Sequence, residues 1–174
     1  MLNKVLKIII AFLLFVGLAF MSLGLSSGKH KIETSIEINA PIATVYDFVL
    51  DEENSSKWLA GYKSSKLLSG EEGKVGSKYE MIFDYNGKEI KMYETITHLE
   101  ENKKYAFELN DKMIDGEVTL LFEPTNNGTK VTEIHNFQAK GFVSKAMNML
   151  VKGMIKKGKN KMYKDLKASI ESEN

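Results

Sequence analysis

From about Ser144 to Ile170 apolar residues recur at helical spacing almost without interruption, and the length of that stripe is the tightest constraint on the fold. At 100° per residue, Met147, Leu150, Val151, Met154, Ile155, Gly158, Met162 and Leu166 fall in one broad sector, and lysines occupy the remainder. So long an amphipathic helix needs an apolar partner of comparable length. The strand-like runs between Ile32 and Phe137 supply one, which predicts a sheet gripping a single helix. Three methionines and a glycine make the packed face adaptable and locally thin, suited to the wall of a cavity. Ordinary core filling accounts for any single methionine equally well.

The preceding runs read as strands. Ile32, Thr34, Ile36 and Ile38 alternate with polar residues, and Pro41 then stands at the start of a helical pattern carried by Val45, Tyr46, Phe48 and Val49. Asp51-Glu-Glu-Asn-Ser-Ser breaks that helix, and Lys57-Trp58-Leu59 allows a further short turn. Tyr62 to Ser69 and Lys78 to Tyr85 follow, the second closing on Asn86-Gly87, a strong two-residue hairpin signal. In Lys88 to Leu99 the residues Ile90, Met92, Glu94, Ile96 and His98 share a phase; Tyr105 to Leu109, Ile114 to Phe122 and Thr129 to Phe137 complete the series. Consecutive antiparallel strands twist and curl, so their concave face can wrap the final helix.

With 174 residues and 43% hydrophobic content the chain supports one domain with a real core plus an appendage. No cysteine is present, which excludes disulfides, thiolate metal sites and cysteine nucleophiles. All 24 basic residues are lysine, so anion recognition has no bidentate fork available. The net charge of +1 is unevenly spread: Lys140 to Lys167 holds nine lysines against Asp165 alone, whereas Gly28 to Ala139 holds 13 lysines and 20 acids. A basic helix against an acidic body fits either a solvated helix face attracted to its own sheet or contact with anionic lipid.

Lys4 and Lys7 precede eighteen uncharged residues, Ile8 to Leu25. At ~1.5 Å per residue they reach ~27 Å, enough for a bilayer's hydrocarbon core. Residues 1–27 are therefore expected to be a single-pass transmembrane anchor with a short linker at Ser26-Ser-Gly28, carrying a domain over residues 28–174. The expected topology puts the N-terminus inside and the domain outside the cell membrane. Small residues around Ser22 to Ser26 also allow a cleaved signal peptide and secretion.

The run Ile38-Asn-Ala-Pro41-Ile-Ala-Thr-Val45-Tyr46-Asp-Phe-Val-Leu-Asp51, followed by Trp58 and Gly70-Glu-Glu-Gly-Lys-Val-Gly76, resembles the SRPBCC superfamily of START-related lipid carriers, polyketide cyclase-like proteins and plant pollen-allergen relatives. Val131 to His135 is similar to that family's last strand before its long helix. The resemblance spans about Ile32 to Ile170; where the family usually has a Pro-Pro turn this chain has Glu101-Asn102. It implies an α+β helix-grip fold. In that fold a curved antiparallel sheet of about six to seven strands wraps a long C-terminal helix around a pocket for hydrophobic molecules. Here one N-terminal transmembrane helix is added.

His30, His98 and His135 form no metal-binding spacing, and there is no nucleophile elbow or phosphate-binding glycine loop, so no catalytic residue, metal or cofactor is expected. The glycines of 70–76 fit a hairpin loop at the pocket's rim better than a phosphate cradle. Glu94, Glu133 and His135 fall in phases shared with apolar residues. Facing inward, they would act as acid and base or orient a polar group; the plainer reading is a bulge that turns them to solvent, or pairing with a lysine. Asp165 is expected to pair with Lys161 one turn earlier. The residues expected to line the cavity are Phe83, Met92, Glu94, Phe107, Leu120, His135, Met147, Val151 and Met154.

The expected function is a membrane-anchored binding protein for a lipid or other hydrophobic small molecule, held between sheet and C-terminal helix. Its other partners are the bilayer, through residues 8–25, and anionic lipid at the helix lysines; nucleic acid is not one. The alternatives are a cyclase- or hydrolase-like enzyme using a pocket carboxylate or histidine, and an interaction module with a filled core.

Overall fold

The computed structural model describes residues 3–25 and 28–173, without the side chains of 148–152. Ser26 and Ser27 of the expected linker lie outside the described residues, as does the side chain of Val151. Seven strands form one antiparallel sheet: β1 (Lys29–Ile38), β2 (Tyr62–Ser69), β3 (Lys78–Tyr85), β4 (Lys88–Glu100), β5 (Lys104–Asn110), β6 (Ile114–Thr125) and β7 (Gly128–Ala139). Their order is β1-β7-β6-β5-β4-β3-β2, so a consecutive meander from β2 to β7 ends beside the first strand. Asn86 and Gly87 turn the chain with φ of 56° and 80°, the double positive φ that a two-residue hairpin requires.

Helices fill the gaps in that order. α1 (Lys4–Gly24) precedes the sheet; α2 (Ile42–Leu50), a 3-10 turn (Glu52–Asn54) and α3 (Ser55–Trp58) bridge β1 and β2; α4 (Gly141–Ser172) follows β7. Pro41 caps α2 from outside rather than opening it. The break after α2 is built by Asp51, whose carboxylate accepts from the Glu53 amide at 2.9 Å.

The core lies between the sheet and the second half of α4. Tyr163, Leu166 and Ile170 are sealed against Val45, Trp58, Phe122 and Val131. The grip is thus real, but it closes on the C-terminal half of the helix. In the first half Met147 is 42% and Met154 72% exposed, together with Phe142 and Val143. That half lies against α1 instead: the Phe142 ring meets Phe20 edge-on with centroids 6.0 Å apart, and covers Gly24. Asp165 accepts from Lys161 at 2.5 Å, as its spacing predicts.

α1 is apolar along its length and stands clear of the domain except at its C-terminal end. It is long and apolar enough to cross a bilayer, a make-up that signal sequences share.

Candidate functional site

Alternation along β3 to β6 sends Met81, Phe83, Ile96, Phe107 and Leu120 to one concave face, and α2 with α3 roofs part of it. Between them is an open chamber of about 870 Å³. Val49, Trp58 and Leu59 line it from the helices, Tyr62 and Ser65 from β2, and Glu72 and Gly73 from the glycine-rich loop at its rim. No described residue of α4 lines it.

Of the nine residues expected at the cavity, Phe83, Glu94, Phe107 and Leu120 line this chamber. Met92 does not, although it sits opposite Met81 in the ladder: β5 ends at Asn110, opposite Tyr93, so the concave wall stops one residue short of Met92. His135 lies on β7 beside β1, toward α4 and away from the chamber. Met147 and Met154 are outside it because their half of α4 faces α1 and solvent; Val151's side chain is not described. Among the described residues the chamber is therefore walled by the sheet and by the α2–α3 segment. His98 also leaves the inward phase, since a bulge between Ile96 and His98 shifts the register and turns Leu99 inward. Sequence reasoning missed the roof, whose one advance signal was Trp58 after an acidic break.

Glu94 is the polar feature of the floor. Burial pushes its carboxyl up to about 7, against the opposing effect of a 2.6 Å hydrogen bond donated by the Tyr105 hydroxyl. Burial and the adjacent Glu94 together hold that phenol well above its ordinary value. At the mouth the Tyr62 hydroxyl and the Ser65 amide both donate to Glu52 Oε1, at 2.9 and 3.1 Å. Burial, and after it Glu52, pushes Tyr62 up to about 12.

A second polar cluster lies under α4. Glu133 is buried and accepts from the Lys159 ammonium, while Tyr163 donates to the same carboxylate. His135 Nδ1 is 3.8 Å from Glu133, and neither ring nitrogen has a hydrogen-bond partner. Burial, then Lys159, pull this imidazole down to about 4, with Glu133 opposing, so it is neutral at pH 7. Among the described residues no three His, Asp or Glu converge on a metal position.

The sequence profile of the family described as "Polyketide cyclase / dehydrase and lipid transport" matches residues 29–168. The chain belongs to that family. Solved structures agree on the fold. The crystal structure of Ara h 8.0201 is 17% identical with a TM-score of 0.68, over 83% of this chain and 99% of that one. TTHA0849 from Thermus thermophilus is 18% identical with the same score, over 83% and 99%. The di-domain ARO/CYC StfQ from the steffimycin biosynthetic pathway is 11% identical at 0.68, over 84% of this chain and 52% of its own length. No curated protein matches in sequence. The family and its helix-grip fold suggest a hydrophobic-ligand-binding domain.

Proposed function

We propose that the protein is a membrane-tethered carrier for a lipid or other hydrophobic small molecule. The observation that carries this reading is the open chamber of about 870 Å³ with Phe83, Ile96, Phe107 and Leu120 on its wall. Its volume is that of a small-molecule site, with an apolar wall and polar residues gathered on the α2–β2 side and at the rim. Membership of a family whose description includes lipid transport supports the same reading. In this proposal residues 1–27 form the anchor and linker, residues 28–174 the binding domain, and the domain lies outside the cell membrane.

The exposed apolar side chains of α4's first half adjoin α1 and carry lysines alongside, so this half rests at the lipid surface. Each lysine near an anionic surface contributes about 1 kcal/mol. A cleaved signal with secretion is the competing topology; the intact mass of carbonate-extracted membrane protein separates the two.

Titration with the neutral apolar probe N-phenyl-1-naphthylamine tests the chamber. Saturable fluorescence enhancement, weakened when Met81→Trp narrows the space, is expected; no saturable uptake would end the carrier reading. The Glu94–Tyr105 pair favours a second reading, a cyclase-like enzyme with that carboxyl as proton donor or acceptor near neutral pH. It requires turnover that Glu94→Gln abolishes while probe binding persists.

A further inference from the structure

Charge around the chamber is lopsided in a way the near-neutral chain is not. Asp51, Glu52, Glu53, Glu72 and Glu94 belong to its lining, whereas Lys63 is the single lysine among the described lining residues. The Lys63 ammonium is already engaged, 3.7 Å from Asp84. Several of the acids are also occupied: Asp51 caps the 3-10 turn, and Glu52 holds Tyr62 and Ser65.

Glu94 differs from all of these. It sits at depth, its one hydrogen bond comes from a neutral hydroxyl, and among the described residues no ammonium lies within ion-pair reach of it. The contrast with Glu133 is direct, because that buried carboxylate is met by Lys159 from the chain itself. A largely desolvated carboxyl facing an apolar space without a cation either keeps its proton or pairs with a positive group that enters the space.

We infer that the chamber selects amphiphiles bearing an amine or other cationic head, whose ammonium pairs with Glu94 while the apolar body lies against Phe83, Ile96, Phe107 and Leu120, and that it rejects fatty-acid-type anions. This rests on the chamber being the ligand site. The rim acids act in the same sense, drawing cations to the mouth and repelling carboxylates, with a strength that salt screens. Glu94, set deeper among apolar side chains than the rim acids, supplies most of the discrimination.

The test uses the full chain in zwitterionic nanodiscs at pH 8, where Glu94 is ionised. Decylamine, decanol and decanoate compete in turn with bound N-phenyl-1-naphthylamine. Decylamine is expected to displace the probe about tenfold more readily than decanol, with decanoate weakest; Glu94→Gln removes about tenfold of the amine affinity and leaves decanol within about twofold. Decanol affinity doubles as the fold control for the variant, and the three-ligand ranking in the parent protein stands without it. Decanoate or decanol matching decylamine, or an amine preference that survives Glu94→Gln, overturns the inference while the chamber stands as the site. Absence of any probe binding overturns the site itself, and the two failures are thereby distinct.

Discussion

The Tyr105 hydroxyl points its proton at Glu94 Oε1 across 2.6 Å, joining β5 to β4 inside an otherwise apolar wall. The contact does not hold the carboxylate in its charged form: the withdrawal of water outweighs one neutral donor, and the carboxyl titrates near 7.

That balance fixes a pH dependence. The folded-state value lies above the ordinary 4.5, so between the two the native chain binds more protons than the unfolded one. Glu94's contribution to stability is therefore fully present below about 4.5, declines as pH rises toward 7, and is gone above it, a difference of roughly 3 kcal/mol. Urea titrations of parent and Glu94→Gln should agree near pH 4.5 and diverge by pH 8, with the variant the more stable. Parallel curves across that range would show that Glu94 is solvated.

The buried pair under α4 makes a second prediction. Truncating Lys159 to Ala leaves Glu133 buried without its counter-charge, with Tyr163 as its remaining donor, which should cost about 3 to 5 kcal/mol. Replacing both partners with apolar residues, Glu133→Leu with Lys159→Met, should recover most of that loss. Denaturant midpoints of the three variants decide it, and an additive double mutant would refute the pairing.

Where the helix is gripped can be read from two truncations. Leu166 is fully buried, so Leu166→Ala should cost about 2 to 5 kcal/mol. Met154→Ala, at 72% exposure, should stay within about 0.5 kcal/mol of the parent in detergent. Equal losses at both positions would mean that the sheet grips the whole helix.

Gly61 stands just before β2, against the end of β3. It has φ of +78°, and an added Cβ would stand 2.4 Å from the Asp84 carbonyl oxygen, whose residue returns an amide to Gly61's own carbonyl at 2.7 Å. Gly61→Ala therefore meets both a left-handed backbone and another backbone atom, and should destabilise by about 1 to 3 kcal/mol. Thermal melting of the variant, set beside an alanine replacement of Gly73, which has open space around it, isolates the steric part.

Much of this architecture is legible in the sequence because alternation and turn chemistry are local properties. The Asn86-Gly87 hairpin and the strand from Tyr62 to Ser69 can be read off with their limits. The wall residues Phe83, Phe107 and Leu120 follow from the same period of two. What is not legible depends on distant partners. Met147 and Met154 belong to a stripe that looks the same whether a sheet, a neighbouring helix or lipid covers it. Met92 has the right phase, but its neighbour strand stops at Asn110, a fact of register. His98 falls out of phase at a bulge that no turn residue announces. Glu94 shares the phase of apolar residues, yet only the assembled wall shows that among the described residues no lysine reaches it.

α4 touches α1 at Phe142, and 21 residues later its Tyr163 ring stands 6.3 Å from Trp58, a chamber wall residue. Those two points are about 32 Å apart on one continuous helix. Its C-terminal half is seated in the protein and its N-terminal half lies by α1. One rod of backbone thus bridges the apolar α1 and the roof of the chamber, two parts of the molecule that, among the described residues, share no other element.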